Sequence, residues 1–176
     1  MANYLQIRDC DCVNGKGIRT SIFFSGCEFK CKGCFNSEAW DFNTGEPFTV
    51  EVYEYKIKPT ITEHIAGISI LGGEPLHPRN VKDVSNLIIW FKKDFPNKNI
   101  WLWSGYRWEE LINRVNHDYE SRKYLTTILT NIDVLVDGQF IEEQKDLTLP
   151  YAGSRNQRVI NVQETLKQKQ VVLYNT

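Results

Sequence analysis

The sequence predicts an α/β fold in which a mostly parallel sheet stays open as a partial (β/α) barrel. Short runs rich in β-branched and aromatic residues recur along the chain, and several are almost continuously apolar, as strands covered on both faces are. Stretches with apolar residues at helical spacing fall between them, which implies right-handed crossovers joining parallel strands. The 176 residues hold too few such units to close an eight-stranded barrel.

The expected strands are residues 4–7, 20–24, 68–71, 100–103, 134–136 and 171–173. The clearest helix spans 81–95, where Val81, Val84, Leu87, Ile88, Phe91 and Phe95 share a face and Pro96 with Asn97 ends it. Weaker helical signals cover 50–65, interrupted at Pro59, then 108–124 and 162–169. No repeat, low-complexity tract or linker breaks the chain, so one domain, 1–176, is expected to carry every motif.

Composition narrows the function. With 41% hydrophobic and 24% charged residues the chain has enough apolar surface for a packed core, which excludes disordered and fibrous classes. Lys plus Arg (21) nearly balance Asp plus Glu (22), so no long-range field draws in nucleic acid or an anionic membrane, and neither is expected as a partner. The start, MANYLQIRDCDC, lacks the basic flank and apolar stretch of a signal peptide, and no run approaches the length of a membrane span. A soluble, cytoplasmic protein is expected.

The five cysteines, at positions 10, 12, 27, 31 and 34, crowd into the first fifth of the chain. A disulfide framework would spread them to close loops. Cys27, Cys31 and Cys34 follow the spacing C-x3-C-x2-C within SGCEFKCKGCFNS, on a loop where Gly26 and Gly33 ease tight turns. Such thiolates can converge on one metal centre, but a fourth ligand is missing locally. A structural zinc site would need one from Cys10, Cys12 or a histidine, His64, His77 or His117. A cubane iron–sulfur cluster held by three cysteines would instead keep one iron open to a substrate. Leu71-Gly72-Gly73-Glu74-Pro75 follows the strand 68–71 directly, where α/β folds place their ligands. Its paired glycines admit close backbone approach, and Glu74 offers a carboxylate to an ammonium group.

The cysteine triad together with the Gly-Gly-Glu-Pro segment resembles the radical S-adenosylmethionine enzymes. Further segments are similar to one subgroup, the activases of anaerobic ribonucleoside-triphosphate reductase. They are Asn14 to Thr20 (NGKGIRT), Gly33-Cys34-Phe35-Asn36, Gly72 to Leu76, Trp103-Ser104-Gly105-Tyr106, Asp137-Gly138-Gln139-Phe140 and Gly153 to Arg158 (GSRNQR), the last two being the discriminating ones. The resemblance implies the partial barrel of that family as a single domain with its cluster loop at 26–36. It implies that Cys27, Cys31 and Cys34 ligate a 4Fe-4S cluster and act catalytically through it. The open iron would take the amino and carboxylate groups of S-adenosylmethionine, with Gly33, Cys34, Phe35, Gly72, Gly73 and Glu74 lining the cofactor. The reaction implied is one-electron cleavage to methionine and a 5′-deoxyadenosyl radical, which generates a glycyl radical on the reductase. A reduced flavodoxin-like protein is the implied electron donor. Two departures stand out: many members carry an aromatic residue at the position of Gly33, and the subgroup commonly has Pro-Gly where Lys32-Gly33 stands.

Competing readings are a pyruvate formate-lyase activase, an enzyme like 7-carboxy-7-deazaguanine synthase, and a non-catalytic zinc module. Cys10 and Cys12 read as incidental half-buried thiols or as a second metal or redox site. His77 reads as a turn histidine or as a neighbour of the cofactor. Trp101 and Trp103 are expected in the core, whereas Tyr106 and Trp108 suit either core or cavity. Arg19, Arg155 and Arg158, with Asn156 and Gln157, suit either a cofactor or partner contact or a structural role. The Lys-rich run 92–98 is expected as a solvated helix end.

Overall fold

The computed structural model describes residues 1–175. One seven-stranded open sheet runs in the order β3-β1-β2-β4-β5-β6-β7. The strands are β1 (Asn3–Asp11), β2 (Arg19–Phe24), β3 (Glu46–Pro47), β4 (Gly67–Gly72), β5 (Asn99–Ser104), β6 (Val134–Asp137) and β7 (Arg158–Asn161). β2, β4, β5 and β6 pair in parallel. The flanks are antiparallel: β1 pairs β2 and β3, and β7 pairs β6. The helices are α1 (Val50–Val52), α2 (Val81–Asp94), α3 (Trp108–His117), α4 (Tyr119–Asn131) and α5 (Val162–Gln168). No helix among the described residues is long and apolar enough to cross a membrane.

Strand alternation divides the sheet into two unlike faces. Ile22, Phe24, Ile68, Ile70, Ile100, Leu102, Leu135 and Ile160 join one core with Val84, Leu87 and Phe91 of α2 and Leu125 and Ile128 of α4. The opposite face carries Arg19, Ser21, Phe23, Ser69, Leu71, Trp101 and Trp103, all outside that core. It is covered by loops: Trp101 meets Tyr151 at 4.7 Å and Tyr174 at 5.2 Å between ring centroids. The sheet is covered on both faces, as expected, but by helices on one and by loops on the other. Serines and an arginine alternate with the apolar residues on the second face, and a cavity opens over it.

Other elements also differ from expectation. The helix over 50–65 is replaced by the single turn α1, a π-helical turn at Tyr53–Ile57 and a 3-10 turn at Lys58–Thr60 that absorbs Pro59. Tyr53 fixes this stretch by donating from its hydroxyl to Asp94 (2.8 Å) and the Trp90 carbonyl (3.1 Å). The helix over 108–124 splits at Asp118, whose carboxylate accepts from the Ser121 N–H (3.1 Å) and so caps α4. Residues 171–173 form no strand; the Asn161 and Tyr174 amides pair with the Val172 and Val159 carbonyls along β7. β7 itself escapes the sequence pattern because polar Arg158 and Asn161 bound a run of only four residues. Lys98 is not solvated: its ammonium donates to the Thr62 (2.8 Å), Glu63 (3.3 Å) and Ile65 carbonyls.

Candidate metal centre and its cavity

The cluster loop leaves the carboxyl end of β2, and its three thiols line one cavity of about 490 Å3 over the sheet. Cys27 is buried, Cys31 and Cys34 are half-buried, and all three are free. Loop amides converge on the sulfurs. Phe29 and Lys30 direct N–H groups at Cys27, Phe140 directs one at Cys31, and the Asn36 amide donates to Cys34 Sγ at 3.4 Å. Burial nonetheless pushes the Cys27 thiol up to about 11 and raises Cys31. A metal-bound thiol loses its proton, so a cationic iron centre would reverse that penalty. Free sulfurs, amides aimed at them and open space in front of them fit a cluster.

None of the side chains considered for a fourth zinc position joins the three thiols. Cys10 and Cys12 are exposed and do not line the cavity. His64 and His117 lie on the exposed surface. His77 is buried, accepts the Arg79 N–H at Nδ1 (3.2 Å) and faces the Glu28 carboxylate with Nε2 (3.3 Å). It is a turn histidine that also touches the cluster loop. Among the described residues no three His, Cys, Asp or Glu side chains group as ligands of one metal ion.

Glu74 is fully buried beneath the cavity, and its carboxylate already has three donors. Oε1 accepts from the Leu76 N–H and the Ser104 hydroxyl, both at 2.8 Å, and Oε2 accepts from the Gly105 N–H at 2.7 Å. The side chain therefore ties the Gly-Gly-Glu-Pro turn to the end of β5. Burial outweighs these bonds and pushes it up to about 7. The glycines serve the same joint. A Cβ on Gly73 would stand 2.6 Å from the Gly26 carbonyl oxygen, and one on Gly72, at φ +114°, would strike Phe24. They let this turn seat against the base of the cluster loop, where the Gly73 and Glu74 amides donate to Phe24 (2.7 Å) and Gly26 (2.8 Å). Asn80, which the sequence did not single out, locks the joint by donating to the Ser25 (2.9 Å) and Glu74 (3.0 Å) carbonyls.

Of the residues expected at the cofactor, Cys34, Phe35, Gly72, Gly73 and Glu74 line the cavity, and Gly33 does not. At φ +71° Gly33 sits where a Cβ would meet Glu142 Oε1 at 2.8 Å, and Lys32 beside it pairs with Glu142 at 2.9 Å. Phe35 packs edge-on against Phe140 with centroids 5.2 Å apart.

The two late segments interlock as the cavity's side wall. Gln157 donates to the Gly138 carbonyl and Asn156 to the Gln139 carbonyl, both at 2.8 Å, while Ser154 donates to Asn156 Oδ1 at 2.7 Å. Arg158 grips Asp137 through two nitrogens (3.0 and 2.5 Å) and Glu109 through two (3.0 and 2.8 Å). Those carboxylates raise its already high basicity. Arg155 lies exposed, 3.8 Å from Asp146. Arg19 is buried at the opposite end of the sheet, away from the thiols. Trp108 is in the core, Trp101 is buried beneath loops, and Trp103 lines the cavity while donating to the Tyr151 carbonyl (2.9 Å). Tyr106 is half-buried, edge-on to Phe29 at 4.8 Å. Sequence reasoning did not assign Arg8, Phe29, Gln139 and Phe140 to the cavity; the last two stood within a motif it had quoted.

Residues 13–160 match the family of 4Fe-4S single cluster domains. Three curated relatives carry one name, anaerobic ribonucleoside-triphosphate reductase-activating protein. The one from Salmonella typhi is 41% identical over 89% of this chain and 96% of its own length. That from Haemophilus influenzae is 41% identical over 88% and 95%, and that from Enterobacteria phage T4 is 37% identical over 89% and 92%. The chain belongs to this family. Membership agrees with the iron–sulfur activating enzyme that the cysteine spacing and the late segments implied. The two late segments, expected from the sequence to discriminate the subgroup, contribute Gly138, Gln139, Phe140, Gly153 and Gln157 to the wall of the thiol cavity.

Proposed function

We propose that this protein is the activating enzyme of an anaerobic ribonucleoside-triphosphate reductase, working in the cytoplasm as a single radical S-adenosylmethionine domain in a partial barrel. Cys27, Cys31 and Cys34 hold a 4Fe-4S cluster. Cys34, Phe35, Gly72, Gly73 and Glu74 line the space for S-adenosylmethionine, and Gly33 shapes the loop from behind. When bound, these groups supply one-electron cleavage of a carbon–sulfur bond, giving methionine and a 5′-deoxyadenosyl radical that takes a hydrogen atom from a reductase glycine. The electron comes from a reduced flavodoxin-like donor, and nucleic acid has no part.

The chain's own residues orient and enclose. Amides of the cluster loop and of Phe140 hold the sulfurs, Glu74 and Asn80 fix the ligand turn against that loop, and the half-buried Phe29 and Phe140 limit the access of water. The observation that carries the reading is the opening of all three thiols into one cavity beside Gly72 and Gly73.

Protein purified without oxygen, reduced and mixed with S-adenosylmethionine and the reductase, is expected to give a glycine-centred electron paramagnetic resonance signal. Cys27→Ala, Cys31→Ala and Cys34→Ala should each lose iron, and deoxyadenosine should fall by at least about 100-fold, more than loss of an outer partner costs a metal site. Deoxyadenosine without a glycine signal would point to a small-molecule substrate. Bound zinc with no iron would overturn the cluster.

A further inference from the structure

The cavity has two chemically distinct regions. One holds the thiols. The other lies further down the same sheet face, where Phe23, Leu149 and Tyr151 form apolar walls and Arg8 projects from β1. Arg8 pairs with Ser21, three residues before the end of β2, so it stands about 10 Å along the strand from the carboxyl end of β2, from which the cluster loop departs.

Among the described residues Arg8 and Glu74 are the only charged ones that line the cavity. Glu74 is spent on three protein donors. Arg8 is not. Among the described residues its one hydrogen bond is to Gln6 Oε1, long at 3.3 Å and exposed, and its guanidinium otherwise lies over the Phe23 ring at 5.2 Å. Lys32 pairs with Glu142, Arg155 lies 3.8 Å from Asp146 and Lys145 lies over the Phe35 ring, and none of these three lines the cavity. Val13 and Leu147, 72% and 74% exposed, put apolar side chains at the mouth beside Arg8. A planar fork of unused donors matches a carboxylate, and apolar walls strengthen the pairing. The exposed apolar lip suits a polypeptide better than a small polar metabolite.

Resting on the activase reading, we propose that Arg8 docks a carboxylate carried by the reductase segment that holds the target glycine, and so selects and registers that segment over the thiols. An acidic side chain and a chain-terminal carboxylate present the same chemistry.

The test uses the iron-loaded enzyme and intact reductase, with glycyl-radical formation followed as each substrate is varied. Arg8→Gln should raise KM for the reductase about tenfold, the worth of one charge-assisted hydrogen bond, with kcat retained. Arg8→Lys, which keeps charge but loses the fork, should fall between. Neutralising acidic side chains near the target glycine, or extending the reductase by a residue at its terminus, should reproduce the loss in one case only. That reductase variant should then be insensitive to Arg8→Gln. An unchanged KM for the reductase overturns the proposal, as does a rise confined to KM for S-adenosylmethionine. Absence of any glycyl radical with the unsubstituted enzyme removes the activase reading, and this proposal with it.

Discussion

The two ends of the parallel strands are each organised around a buried charged group, and they treat it differently. At the amino end Arg19 is fully buried and has no carboxylate partner among the described residues. It donates to Ser69 Oγ (2.7 Å), Asn99 Oδ1 (2.6 Å) and the Ile68 (2.6 Å) and Lys16 (3.1 Å) carbonyls, and it lies 5.4 Å from the Trp101 ring centroid. Burial among neutral acceptors pushes it down to about 10. At the carboxyl end Arg158 spans two carboxylates, and Glu74 sits buried among donors beneath the thiols. The amino end is a closed joint. The carboxyl end keeps its charged groups satisfied yet leaves sulfur and space uncovered, the division of labour expected when ligands bind at the carboxyl ends of strands.

The comparison is broken most severely at Arg19. Arg19→Met would leave two buried acceptors, Ser69 Oγ and the Ile68 carbonyl, and two part-buried ones, Asn99 Oδ1 and the Lys16 carbonyl, without this donor; at about 1 to 3 kcal/mol for each buried group, a net loss of about 3 kcal/mol or more is expected after relief of the buried charge. Denaturant melts measure the loss. Iron bound per folded molecule should not change, because this joint lies at the end remote from the thiols. Iron loss in a variant that keeps its fold would show that the two ends are not separate.

Glu74 gives the next largest effect, through pH. Its folded value of about 7 lies above the ordinary 4.5, so the folded chain binds this proton more tightly than the unfolded chain. That contribution is present at low pH and is lost as pH rises from 4.5 to about 7, by up to about 3 kcal/mol. Urea midpoints of the iron-free protein at about pH 5 and about pH 8 should differ accordingly. Glu74→Gln should flatten that slope while lowering stability throughout, since the Gly105 N–H loses its acceptor. An unaltered slope would locate the titration elsewhere.

What was legible in the sequence was local. The cysteine spacing, the Gly-Gly-Glu-Pro turn after an apolar strand and the period of α2 each lie within about one element, where pattern and chemistry coincide. What was not legible depends on distant partners. Gly72 and Gly73 read as room for a ligand, but their nearest obstacles are backbone atoms of Phe24 and Gly26, far off in sequence. Glu74 read as a ligand's partner because Ser104 and Gly105, which consume it, come about thirty residues later. Asp118 splits a helix through one capping bond that periodicity does not register. Arg8 gave no signal, since an exposed arginine on an antiparallel strand resembles any solvated charge.

The smallest expected effect sharpens the account of the carboxyl end. Glu109 is the outer partner of Arg158, with its side chain 59% exposed, whereas the Asp137 side chain is 1% exposed and also accepts the Trp108 N–H at 2.8 Å. Arg158 holds the Glu109 carboxyl below its ordinary range, but solvent and salt screen so exposed a pair. Glu109→Gln should therefore cost under about 1 kcal/mol at low salt and still less at high salt. Asp137 keeps both contacts to Arg158, so the wall formed by Gly138 to Phe140 should hold and iron binding should persist. Thermal melts of Glu109→Gln across a salt series decide the matter. A larger, salt-independent loss would mean that the outer carboxylate keeps Arg158 in place, and that the buried Asp137 is left unpaired when it goes.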